Sequence, residues 1–165
     1  MRKIALIAHD LRSAHNVGSL LRTAEGLGIQ KVFLTDYTPY PLAPNDTRLP
    51  HLSQKIDQQI NKTALGAQKT LDWEYLADIN PLLDNLEEAG YTLAALEQSA
   101  MAVKLPDYKP PGKIAIVLGS EVAGLSQALL DRCSVHLEIP MYGSKESFNV
   151  VQAAAMALYH CRIIK

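Results

Sequence analysis

The sequence predicts a single α/β domain, a mainly parallel sheet flanked by helices, and three observations carry that expectation. Short apolar runs alternate with segments of helical periodicity along the 165 residues. The first strand, helix and second strand follow one another closely enough to form a βαβ unit, whose strands must be parallel. Glycines and small polar residues gather at three places where a strand gives way to a helix, the edge at which open α/β sheets bind ligands.

Residues 4–8 (Ile-Ala-Leu-Ile-Ala) form an unbroken apolar run, as in a strand covered on both faces. Val17, Leu20, Leu21, Ala24 and Leu27 recur at helical spacing, and Gly28 suits a helix stop. Residues 32–35 are the second strand. Regularity then fails over residues 36–61, where Pro39, Pro41, Pro44 and Pro50 predict a long loop. Arg48, His51 and Lys55 make this loop a candidate substrate-facing flap, and a plain solvated connection explains it equally well. Helices are expected over 62–71 and 81–89, and strands over 91–96, 113–118 and 135–139. A short helix over 125–131 precedes the last strand. The final helix, over 147–163, is apolar nearly all round and is expected to be buried.

Composition narrows the function. At 48% hydrophobic the chain fits one domain, residues 1–165. Sixteen Lys+Arg against 17 Asp+Glu exclude attachment to nucleic acid by bulk charge, so any such binding needs a local patch. Cys133 and Cys161 lack metal-type spacing and suit a reducing compartment. The five histidines, His9, His15, His51, His136 and His160, show no metal spacing either, so no metal is expected. The opening apolar run is too short for a signal peptide and no segment is long enough to span a membrane, which predicts a cytoplasmic protein.

The three junctions can be read for chemistry. In the first, Asn16 is placed to cap the helix, and Gly18, Arg22 and Gly26 share the side opposite the apolar stripe. Glycines flanking an arginine allow close approach of another backbone, although a solvent-facing arginine explains the pattern too. The second, residues 119–125, brackets Glu121 between Gly119 and Gly124 at the end of an apolar strand; alone it is as well read as a turn with a solvated glutamate. The third runs Ile139-Pro140-Met141-Tyr142-Gly143, then Ser147-Phe148-Asn149-Val150, with Ser147 and Asn149 at a helix start. No phosphate-loop or dinucleotide fingerprint is present.

In this order the motifs resemble the SpoU (TrmH-like) family of SPOUT RNA methyltransferases. NxGxxxR stands as Asn16, Gly18 and Arg22; GxExxGL as Gly119, Glu121, Gly124 and Leu125; IPMxG with SxNV as Ile139 to Gly143, then Ser147, Asn149 and Val150. The stretch from Lys62 to Ala67 is similar to the family as well. The resemblance implies a C-terminal deep trefoil knot, a rare exception to unknotted topology. It further implies a homodimer and S-adenosylmethionine-dependent methyl transfer to a ribose 2′-hydroxyl of tRNA or rRNA. Arg22 would be the central catalytic residue, with Asn16, Glu121, Ser147 and Asn149 around it. Because a guanidinium stays protonated, Arg22 would grip a phosphate and stabilise charge on the 2′-oxygen, held by Glu121. Leu118, Gly119, Ile139, Met141, Ser147 and Val150 would hold the cofactor. Arg12, Arg48 and Lys145 would meet the RNA. Ser120, Val122 and Val151 depart from the family pattern, and Val151 replaces a serine that many relatives carry. Two other readings remain: a noncatalytic RNA-binding or assembly protein that keeps the fold, and an unrelated α/β nucleotide-binding protein.

Overall fold

The computed structural model describes residues 2–164. Seven strands form one sheet in the order β3-β2-β1-β6-β4-β7-β5, with every neighbouring pair parallel. They are β1 (Lys3–His9), β2 (Lys31–Thr35), β3 (Trp73–Leu76), β4 (Thr92–Leu96), β5 (Val103–Lys104), β6 (Lys113–Leu118) and β7 (Val135–Glu138). The helices are α1 (Ala14–Gly26), α2 (Pro50–Ala64), α3 (Asn80–Glu88), α4 (Gln127–Arg132) and α5 (Val150–Ile163).

The strand pleat explains the two layers. Ile4, Leu6 and Ala8 of β1 face a core shared with α1, α2 and α5. Ala5 and Ile7 point the other way, into a core shared with α3 and α4. Both faces are covered, which is why β1 and β6 are apolar without alternation. Successive strands step outward in one direction from β1 through β2 to β3, and β6 and β4 lie on β1's other side. The strand order therefore reverses between β1 and β6, where an open α/β sheet leaves a crevice at its carboxyl edge. Ala8 pairs with Leu118, so both strands end at the same level.

The structure corrects several sequence expectations. Residues 36–61 are not one long loop, because α2 begins at Pro50, a residue preset for a first helical turn. Its inward stripe is narrow, with Ser53, Ile60 and Ala64 buried, and abundant polar residues mask the period. The helix expected over 62–71 instead ends at Ala64, where Leu65 and Gly66 turn left-handed. The short edge strands β3 and β5 were not anticipated from the sequence. Helix α1 starts at Ala14, capped by Ser13, whose hydroxyl accepts from the Asn16 amide; Asn16 is not the cap. Helix α5 starts at Val150, capped by Asn149. It is buried on one face only, through Ala154, Ala157, Leu158 and Cys161, and Tyr159 is 55% exposed.

Gly18 makes the close backbone approach expected of it, and the approaching backbone is that of α2. It is buried where α1 crosses α2, and an added Cβ would collide with the Ile60 carbonyl and the Thr63 hydroxyl. Gly26 has nothing within 4 Å of such an atom. Glycine at position 18 sets the spacing of the two helices. Gly18→Ala should therefore lower the urea midpoint, since overpacking costs about 1–3 kcal/mol. Gly26→Ala should leave it unchanged or raise it, through a stabilisation of up to ~1 kcal/mol from helix propensity.

Candidate functional site

A cleft of about 540 Å³ opens at the carboxyl edge of β6, β4 and β7. The second and third junctions form its walls. Leu118, Gly119, Ile139, Met141, Ser147 and Val150, the six residues expected to hold a cofactor, all line it, and so do Glu121 and Asn149. Apolar surface comes from Leu96, Leu118, Leu137, Ile139, Met141 and Phe148. Three carboxylates, Glu97, Glu121 and Glu138, line the cleft, and no lysine, arginine or histidine does. The electrostatic character is that of a site for a cationic or neutral ligand, and it is unfavourable to a polyphosphate.

The glycines of the second junction have steric causes. A Cβ on Gly119 would strike the Gly124 backbone, and Gly124 has φ +66° and sits against the Glu97 carboxylate. The loop closes through the Gly124 amide donating to the Ser120 carbonyl at 2.9 Å. Amides of Val122 and Ala123 donate to the Ser120 hydroxyl, each at 3.3 Å. Ser120, the departure from the family pattern, thus has a role inside the turn. Val151 is half-buried against the main core, so its side chain takes part in packing.

Glu121 joins the first junction to the second. Its carboxylate accepts from the Asn16 side-chain amide at 2.9 Å, the Arg12 backbone amide at 3.0 Å and the Ser13 amide at 3.4 Å. These bonds bridge the crevice between β1 and β6. Burial raises the carboxyl's pKa, but the Arg12 amide, the Asn16 side chain and the Ser13 amide together outweigh it and hold the group below the ordinary glutamate value. The expected partner was Arg22; the observed one is Asn16. Arg22 is exposed and lines a separate shallow depression with Thr23, Gly26, Leu27, Ala155, Met156 and Tyr159. Within one chain it is not a lining residue of the cleft.

Of the residues expected to meet RNA, Arg12 and Lys145 are exposed, one before α1 and the other on the loop after β7. Arg48 is not free. Its Nε and Nη2 donate to Asp46, Nη1 donates to the Tyr40 carbonyl at 3.0 Å and Nη2 to the Pro41 carbonyl at 3.1 Å. Its guanidinium lies 3.5 Å from the centre of the Tyr40 ring, which in turn stacks on Tyr75 at 3.9 Å. Arg48 therefore braces the loop before α2 instead of presenting its charge outward.

Two cleft residues that anchor the junctions escaped the sequence reading. Glu97 follows β4, accepts from the Leu125 amide at 3.2 Å and anchors the second junction. Gln98 donates to the Glu146 carbonyl at 2.9 Å and ties down the third. Their position just past a strand's carboxyl end was the available signal. A further cluster was invisible to linear spacing: His9 Nδ1 is 3.2 Å from Asp36 and 3.0 Å from the Thr35 hydroxyl, and Nε2 is 3.3 Å from Asp10. Asp36 arrives from β2, which is why the histidine spacing did not reveal the group. Cys133 and Cys161 are pushed up to about 11 by burial, so neither thiol is a ready nucleophile.

The lowered Glu121 value has a definite sign. Its stabilisation is fully present above the ordinary value of 4.5 and is lost as pH falls through the lower folded value. Glu121→Gln should therefore melt below the wild-type protein at pH 7, and the two melting temperatures should converge as the pH falls below the ordinary carboxylate value. Parallel curves at all pH values would contradict this account.

Comparison with known proteins fits the geometry. The SpoU rRNA Methylase family matches residues 3–159. A Staphylococcus epidermidis protein of the TrmH family of tRNA/rRNA methyltransferases is 28% identical over 154 residues, covering 93% of this chain and 56% of its own length. The chain thus spans about half the length of the curated relatives it matches. Among solved structures, an AdoMet-bound rRNA methyltransferase from Sinorhizobium meliloti superposes with TM-score 0.80 at 19% identity, over 97% of this chain and 56% of that one. Another, from work on the 2-OH methylation of C/U34 on tRNA, gives 0.75 at 23% identity over 97% and 94% of the two chains. With the family matched from the first strand almost to the end of the last helix, on a parallel sheet of the same architecture, the chain belongs to the SpoU methylase family.

Proposed function

We propose that this chain binds S-adenosylmethionine in the cleft and methylates a ribose 2′-hydroxyl of tRNA or rRNA. The observation that carries the reading is the cleft: the second and third junctions converge on one pocket at the sheet's crevice edge, lined by carboxylates and apolar side chains without a cation. That lining suits an adenosine carrying a sulfonium and an ammonium group, and its volume is in the range of small-molecule sites. It speaks against the unrelated nucleotide-binding alternative, whose phosphates would meet Glu97, Glu121 and Glu138.

Bound there, the cofactor supplies a methyl group already activated on sulfur, so the protein need only align and stabilise. Leu118, Gly119, Ile139 and Met141 form the adenine slot, and Ser147 and Val150 border it. Glu121 fixes Asn16 at the cleft mouth, and Ser147 and Asn149 orient the ribose. In the transfer the ribose oxygen would bond to the methyl carbon as the carbon–sulfur bond breaks to leave a neutral thioether, and the hydroxyl proton would pass to solvent water. Arg22 supplies positive charge for the neighbouring phosphate and the developing oxyanion.

Arg22 reaches that position from a second copy. The depression around it is built from Ala155 and Met156 of α5 and from α1, with Tyr159 largely exposed, an apolar face that a homodimer would cover. The knot reading is supported by the chain's path: β7 lies near the sheet's far edge beside β4 and β5, and α5 then returns to pack on α1 and next to β1 and β6. No described helix is long and apolar enough to cross a membrane. A noncatalytic role would require the cleft to be filled without transfer.

Calorimetry should detect one S-adenosylmethionine per chain, and labelled cofactor should mark total RNA. Arg22→Ala should reduce transfer by about 100-fold or more while cofactor affinity changes little. Cofactor binding without transfer to any RNA would favour the noncatalytic reading, and no binding would end the proposal. Met156→Lys should shift the mass measured by light scattering from dimer to monomer and abolish transfer with it.

A further inference from the structure

We infer that the outer face of α2 is a track for the phosphodiester backbone of the substrate RNA. The inference rests on the function proposed above and adds where the RNA beyond the reacting nucleotide lies. His51, Lys55, Gln58 and Lys62 follow one another at helical spacing and are all exposed. The only carboxylate in α2, Asp57, is half-buried and accepts from the Leu42 amide at 2.9 Å. Neither Lys55 nor Lys62 forms an ion pair among the described residues. The stripe spans roughly 17 Å at 1.5 Å per residue.

Charge is divided between the two helical layers. Helices α1, α2 and α5 carry Arg22, Lys55, Lys62 and Arg162 against Glu25 and Asp57, a net of +2. Helices α3 and α4 carry Asp84, Glu87, Glu88 and Asp131 against Arg132, a net of −3. A polyanion is repelled from the second layer and accepted on the first. The cleft itself is acidic, so affinity for RNA has to come from outside it.

The stripe is continuous with the site. The Thr63 hydroxyl donates to the His15 carbonyl at 2.8 Å, which docks the end of α2 beside the start of α1. That start carries Arg12, Ser13 and Asn16, all held by Glu121. The track therefore begins at the cleft mouth with Arg12, passes Lys62, and leaves along α2 through Gln58, Lys55 and His51.

The test is a Lys55→Glu/Lys62→Glu double variant, with Lys109→Glu as an exposed control elsewhere on the surface. Binding to unfractionated tRNA and to total ribosomal RNA is measured without cofactor over a series of salt concentrations. The double variant should bind about tenfold or more weakly, and its log K against log[salt] slope should flatten by about 0.7–0.9 for each lysine. Melting temperature and S-adenosylmethionine affinity should match the wild type, as should RNA binding by the control. Unchanged RNA binding in the double variant, or an equal loss in Lys109→Glu, would overturn the track. Cofactor binding by the wild type is scored separately, so the methyltransferase reading and the track fail on different measurements.

Discussion

The Glu121 carboxylate is the point at which the fold becomes a site. A parallel sheet whose strand order reverses leaves a gap between β1 and β6 by construction, because successive crossovers depart to opposite sides. Glu121, on the loop after β6, crosses that gap and receives three N–H groups from the turn that starts α1. A glutamine of the same size keeps only one acceptor oxygen and would leave at least one of those donors to water. A charged acceptor makes stronger bonds and fixes the direction in which α1 leaves the sheet. The direction of α1 in turn sets Gly18 against α2 and turns Arg22 toward the face shared with α5. One carboxylate thus orders the cleft mouth and the helix beyond it.

Much of this was legible in the residues. The βαβ start, the parallel pairing and β6 follow from unbroken apolar runs, which report burial on both faces, whereas β7 alternates as Val-His-Leu-Glu. The cleft walls were legible because glycines there answer to sterics: Gly119 and Gly124 permit backbone contacts that any Cβ would block. What could not be read was tertiary in origin. Helix α2 hides behind a narrow apolar stripe and four prolines, and only packing on α1 makes it a helix. Arg48 looked available because its partners, Asp46 and the Tyr40 and Pro41 carbonyls, meet it through a loop conformation that has no periodic signature. Asp36 meets His9 only because β2 lies beside β1.

Arg22 is the instructive case. Its spacing from Asn16 suggested one shared site, and a helix does keep them close in sequence and apart in direction. Six residues along a helix are 600° of rotation, so the two side chains diverge by about 120°. Asn16 points to Glu121 and the cleft, and Arg22 points to Met156 and Tyr159. A motif read along a sequence records which residues act together, without recording that they act from one chain. The geometry separates the two ends of α1: Asn16 bonds to Glu121 at its own cleft, and Arg22 lies on a different face beside α5.

This division resolves an electrostatic conflict. On the proposed reading, a pocket for a sulfonium and an ammonium group is served by carboxylates, and those carboxylates would repel the phosphates of an approaching RNA. Placing the compensating cations inside the pocket would weaken cofactor binding. Placing them at its rim and on a separate helix, where water screens them from the glutamates, would allow both proposed functions, because attraction between exposed charges decays over about 8 Å at physiological salt. The near-neutral composition of the chain therefore conceals local contrasts: an acidic cleft, a net-negative layer of α3 and α4, and exposed lysines along α2.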